Sequence, residues 1–165
     1  MGILSLRTLS CKVRRFVIIM AHMSINDVNR IEGDVTMRHV MISVADKSGL
    51  DELVNGLVGV NANVKIYSTG GTYARIEAIL GSLAETNLLA VSSYTGQPEM
   101  QGGLVKTLDF KIYLGLLSES YNDDHSADLL RVGAVAFDMV VGNLYPFRST
   151  VARDGATLEN ARGNI

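Results

Sequence analysis

The chain carries a single cysteine, Cys11, so no internal disulfide can hold the fold, and a reducing compartment suits it. It has three histidines, His22, His39 and His125, scattered without the spacing that zinc ligands show; no metal centre is expected. No apolar run approaches the ~20 residues needed to span a bilayer, so no transmembrane helix is expected. Positive charge is not in excess: the formal net charge of −2 argues against a general nucleic-acid binder. Neither Gly-x-Gly-x-x-Gly nor a P-loop is present, which sets aside a dinucleotide or ATP enzyme. Internal repeats and low-complexity tracts are also missing.

What is present is the material of one globular domain. A length of 165 residues with 47% hydrophobic side chains can bury a sizeable core. Residues 1–37 show no sustained periodicity and read as an amino-terminal extension. Its first 25 residues carry Arg7, Lys12, Arg14 and Arg15 and no acid, a composition that fits a transit peptide. The reading preferred is a start codon placed upstream of the true one at Met20, Met23 or Met37. The domain is expected over residues 38–165.

Val40-Met-Ile-Ser-Val44 is a nearly continuous apolar run, as for a strand covered on both faces. Leu50, Leu53, Val54, Leu57 and Val58 then recur at helical spacing. Val64–Ser68 predicts a second strand, Gly70-Gly71 a turn, and Tyr73, Ile76, Ile79 and Leu80 a second helix. Leu88–Val91 predicts a third strand, Ser92–Gly103 a functional loop, and Phe110–Leu117 and His125–Val132 further ordered segments. Phe137–Gly142 predicts a final buried strand, and Thr157–Arg162 the start of a last helix. The alternation implies an α/β fold, a mainly parallel sheet with helices on both faces. Right-handed crossovers place the strand-to-helix loops on one edge, where ligands bind at the carboxyl ends of strands.

The loops at that edge suit a phosphorylated small molecule. Ser68-Thr-Gly-Gly-Thr72 follows a strand and opens a helix, so its glycines let backbone amides approach an anion and the helix start adds a positive dipole end. The same pattern is common as plain structural punctuation. Lys47, in Asp46-Lys-Ser-Gly49, supplies a point charge for phosphate at the same edge, or is a solvated loop lysine. Val105-Lys-Thr-Leu108 places Lys106 and Thr107 after Gly102-Gly103, where a lysine can neutralise a developing oxyanion or transfer a proton. Asn143 and Tyr145 leave the last strand together, and a tyrosine hydroxyl there can donate to an oxyanion or simply pack.

Five segments in this order, Ser43–Gly49, Ser68–Thr72, Tyr94–Met100, Gly102–Leu108 and Asn143–Phe147, resemble the inosine monophosphate cyclohydrolase domain of the bifunctional purine-biosynthesis enzymes. The resemblance covers about Val40 to Ile165. It implies the methylglyoxal-synthase-like three-layer α/β fold. It also implies dehydrative closure of formylaminoimidazole carboxamide ribonucleotide to inosine monophosphate, without cofactor or metal, in a cytoplasmic homodimer. By the same resemblance, Lys47, Ser68, Gly70, Gly71, Thr72 and Thr107 would contact phosphate and ribose. Lys106 and Tyr145 would be catalytic, with Asn143 beside them. Four places depart from the family pattern: Ala45 replaces a serine, Leu104 an arginine, Asp109-Phe110 a His-Pro, and Tyr113 a further histidine. After Asn164-Ile165 the family continues with Asp-Ile-Gly-Gly and, later, a lysine, both active-site residues, so the domain is expected to be incomplete at its carboxyl end. The alternative expectation is a degenerate or truncated relative that binds a phosphorylated nucleotide or a partner without catalysis.

Overall fold

Val40, Met41 and Ile42 are all buried in the first strand, β1 (His39–Ser43), because layers of side chains cover both of its faces. A computed structural model describes residues 35–97 and 107–162. Within them β1 pairs in parallel with β2 (Lys65–Ser68) on one side and β4 (Met139–Gly142) on the other. β3 (Leu88–Ala90) pairs in parallel with β2, giving the order β3-β2-β1-β4.

The register sorts side chains into two layers. Val40, Ile66, Leu88 and Met139 stand in one row across the sheet, and Met41, Tyr67, Leu89 and Val140 in the next. Successive residues of a strand point to opposite faces, so these rows belong to opposite layers. On the first face lie α1 (Leu50–Val60) and α2 (Gly70–Leu80). The predicted stripe of α1 is the face that packs: Leu50, Val54 and Leu57 are buried, with Leu53 and Val58 against the same cluster. Ile76 and Leu80 of α2 join Val40, Ile42, Val64 and Ile66 there. Each such side chain contributes roughly 1.5–3 kcal/mol relative to exposure.

The second face is covered by α4 (Val91–Thr95) and α5 (Phe110–Leu117), through Val91 and Ile112 against Met41 and Tyr67. An aromatic group fills this layer. The Tyr67 ring meets Tyr94 edge-on with centroids 4.9 Å apart and Phe137 at 5.3 Å. Burial pushes the Tyr67 phenol up to about 12, and its hydroxyl lies 3.3 Å from His39 Nδ1. Gly115 lets α5 approach closely: a Cβ there would overlap the Val135 carbonyl and sit 2.8 Å from Phe137 Cδ2. The remaining α-helices among the described residues are α3 (Ala84–Asn87), α6 (Asp123–Val132), α7 (Phe147–Val151) and α8 (Leu158–Arg162).

Three expectations change. The strand predicted over Phe137–Gly142 is not fully buried. Among the described residues it forms at Met139–Gly142, stands last in the sheet with β1 as its neighbour, and leaves Val140 55% exposed. Its apolar run looks the same in sequence whether or not anything covers its outer side. Val91 does not extend the third strand but starts α4, whose carboxyl end is closed by Gly96 at φ 79°. The segment expected as a loop from Ser92 is therefore helical up to Thr95. Gly70-Gly71, read as a turn, forms the first residues of α2, with Gly70 at a φ of 51° that favours glycine. No helix among the described residues is long and apolar enough to cross a membrane.

Candidate functional site

Because β1, β2 and β4 run in parallel, the loops that follow them gather at one edge of the sheet. The chain order β1-β2-β3 proceeds to one side of β1 and β4 returns on the other, so a crevice is expected beyond the ends of β1 and β4. Residues 98–106 lie outside the described residues; Gly102, Gly103, Leu104 and Lys106 fall there.

The cationic part of this edge is Lys47. Its Nζ donates to the carbonyls of Ala45 (3.2 Å) and Val44 (3.4 Å), which folds the side chain back over its own loop. Nζ then lies 3.9 Å from where a Cβ on residue 71 would be, so the ammonium sits beside the first turn of α2. That turn begins after Thr69, an extended residue whose hydroxyl makes no capping bond. The first-turn amides of Gly70, Gly71 and Thr72 have no intrahelical acceptor, as at any helix start. An α2 of 11 residues with no acid in its first turn presents these amides and its positive dipole end beside a lysine. Asp46, the nearest acid in sequence, turns onto the start of α1. Its Oδ1 accepts from the Ser48 hydroxyl (2.6 Å) and amide (3.0 Å), and these bonds hold its carboxyl below the ordinary range.

The hydroxyls predicted as ligand donors are used within the scaffold. Ser68, fully buried, donates to the Ile42 carbonyl at 2.7 Å. Thr72, 4% exposed, donates to the Val44 carbonyl (2.9 Å) and accepts from the Val44 amide (3.2 Å). Both therefore tie β1's end to β2 and α2. Asn143 does the same from the other side. Its Oδ1 accepts from the amides of Ala45 (2.6 Å) and Asp46 (3.2 Å), while Nδ2 donates to the Asp46 carbonyl (2.8 Å). The loop bearing Lys47 is thus held by Thr72 on one flank and Asn143 on the other. Its Asn143 flank spans 97 and 98 residues in sequence, so no local signal could have disclosed it. Tyr145 follows on the same turn and is 59% exposed. Thr107 is half-buried in the turn before α5.

The departures from the family pattern have definite places. Ala45 gives its amide to Asn143. Asp109, 5% exposed, is the N-cap of α5 and accepts from the Lys111 amide at 2.8 Å. Phe110 and Tyr113 project from α5 with 57% and 46% exposure. With Leu114, Leu117, Ser118 and His125, they line an apolar cavity of 350 Å³. A second, polar cavity of 430 Å³ lies among Pro146, Thr150, Arg153, Asp154 and Asn160. Lys47 and the start of α2 line neither. Among the described residues no three His, Cys, Asp or Glu side chains converge as metal ligands would.

The chain is 45% identical over 123 residues to the bifunctional purine biosynthesis protein PurH of Rhodopirellula baltica, covering 74% of this chain and 22% of that protein. PurH of Chlorobium phaeovibrioides is 42% identical over 134 residues, 80% of this chain and 24% of that protein. PurH of Pelodictyon phaeoclathratiforme is 41% identical over the same length and shares. The chain therefore spans about a quarter of the length of the curated relatives it matches. Residues 49–165 match the MGS-like domain family, a span that takes in α1, α2 and the loops after β2 and β4. With this match and a parallel sheet enclosed by helices, the chain belongs to the family of MGS-like domains.

Proposed function

We propose that this domain closes the second ring of a purine nucleotide, converting formylaminoimidazole carboxamide ribonucleotide to inosine monophosphate. The observation that carries the reading is Lys47 seated beside the open amides of α2, in a chain 41–45% identical to PurH proteins over most of its length. A dianionic phosphate suits that position, since it takes both the point charge and several backbone N–H groups. Gly70, Gly71 and Thr72 supply the amides, Lys47 the charge, and Thr107 a further hydroxyl. Ser68 and Asn143 act through the scaffold. With the phosphate held, the carboxamide nitrogen attacks the formyl carbon. A C–N bond forms, the formyl oxygen becomes an alkoxide, and water leaves after proton transfer. Lys106 and Tyr145 stabilise the alkoxide and assist departure of water. The reaction uses neither cofactor nor metal, and the protein works in the cytoplasm as a homodimer.

A second reading is favoured by one observation: Asp109 is committed as a helix cap and Tyr113 projects into solvent, where the family pattern has histidines. In that reading the domain binds the phosphorylated nucleotide without turning it over. Single-turnover reaction of the formylated ribonucleotide at enzyme excess separates the two. Inosine monophosphate formed by the intact chain and lost in Lys106→Ala establishes ring closure. Formation no faster than the uncatalysed rate rejects it and leaves binding.

A further inference from the structure

We propose that Lys111 is a positioning residue that clamps together the two ends of the chain segment carrying Lys106, by gripping Tyr94. The segment leaves α4 after Tyr94-Thr95 and returns at Thr107, ahead of α5. Lys111 stands in the first turn of α5, and its Nζ donates to the Tyr94 carbonyl at 3.3 Å. That carbonyl lies in the last turn of a five-residue helix, where backbone oxygens lack intrahelical partners. The same ammonium lies 5.6 Å from the Tyr94 ring centroid, so one cation serves both the backbone and the π-face of one residue. Tyr94 is itself fixed. Its hydroxyl accepts from the Val135 amide at 2.9 Å, and its ring meets Tyr67 edge-on. The far end of the clamp is equally anchored, because the Asp109 cap bonds the amide of Lys111 itself. Lys111 thus joins a residue held by the aromatic layer to the start of a capped helix, residues that flank the Lys106 segment in sequence. Its consequence for catalysis rests on the ring-closure reading; the clamp itself does not.

Hydrogen exchange of the intact chain, compared with Lys111→Met and Lys111→Arg, tests the clamp. Methionine keeps the apolar stem and loses the cation, whereas arginine keeps a donor and a cation over the ring. Exchange at residues 94–97 and 107–113 should rise about three- to tenfold in Lys111→Met and return in Lys111→Arg, with β1 and β2 unchanged. Unaltered exchange in Lys111→Met overturns the clamp, and so does acceleration spread evenly over β1 and β2. In single turnover, Lys111→Met should lower the maximal ring-closure rate with little change in half-saturation, since the phosphate is held by Lys47 and α2, and Lys111→Arg should restore it. An unchanged maximal rate in Lys111→Met overturns the positioning role. If the unaltered protein closes no ring, the catalytic reading fails while the exchange comparison still decides the clamp.

Discussion

Gly71 and Gly115 show how one missing Cβ serves two ends. At Gly71 a methyl would have room, touching Lys47 Cε at 3.8 Å without overlap. Gly71→Ala should hold or raise thermal stability by up to about 1 kcal/mol through helix propensity. The same methyl covers the amides beside Lys47, so affinity for a phosphorylated nucleotide should fall several-fold. Calorimetric melting and titration on one sample read both, and weaker binding with a lower melting temperature would contradict the assignment. At Gly115 there is no room: the Val135 carbonyl and the Phe137 ring occupy the position. Gly115→Ala should destabilise by about 1–3 kcal/mol in denaturant unfolding, the cost of overpacking a filled contact. The two glycines look alike in sequence. Lys47 at the edge was legible from its place after an apolar run, while the internal commitments of Ser68, Thr72 and Asn143 were not. Their partners come from other strands and from the far end of the chain.

Among the elements, α1 and β1 were the most readable and β4 the least. The stripe Leu50, Leu53, Val54, Leu57, Val58 needs only helical spacing to name its buried face, and the apolar run of β1 is buried at Val40, Met41 and Ile42 as its composition implies. β4 has the same kind of run, yet burial there alternates between half-buried and exposed. Whether a strand is central or marginal depends on what pairs beside it, which its own residues do not encode. Met41 and Val140 make the point, since they stand opposite each other in register, one 6% and the other 55% exposed. Met41→Ala should cost about 2–5 kcal/mol, whereas Val140→Thr should stay within about 0.5 kcal/mol. Urea unfolding of both variants checks the contrast; equal losses would mean that Val140 is covered in solution.

For the whole molecule, the aromatic layer predicts a stability profile that declines on both sides of neutrality. Burial lowers the pKa of His39 from 6.5, against the opposing pull of Asp138, so the unfolded chain binds a proton more readily than the folded one. Stability is therefore lost as pH falls below about 6.5. Burial raises Tyr67 from 10.0 to about 12, so the unfolded chain releases that proton first and stability falls as pH climbs from 10 toward 12. Unfolding free energy measured from pH 5 to 11 should show both slopes, and Tyr67→Phe should flatten the alkaline one; an unchanged alkaline slope would place its origin elsewhere. This layer had no signature in the sequence, because His39, Tyr67, Tyr94 and Phe137 are spread over nearly a hundred residues and share no periodicity. By itself the sequence determined the alternation of strands and helices, the α/β class and the loops that gather at the carboxyl edge, since each follows from local spacing of apolar and small residues. Only the tertiary structure decided that β4 stands last among the described strands, that Thr72 and Asn143 brace the loop bearing Lys47 while Ser68 ties β2 to β1, and that Lys111 grips Tyr94. Those outcomes depend on which distant backbone groups and rings are brought within hydrogen-bonding reach.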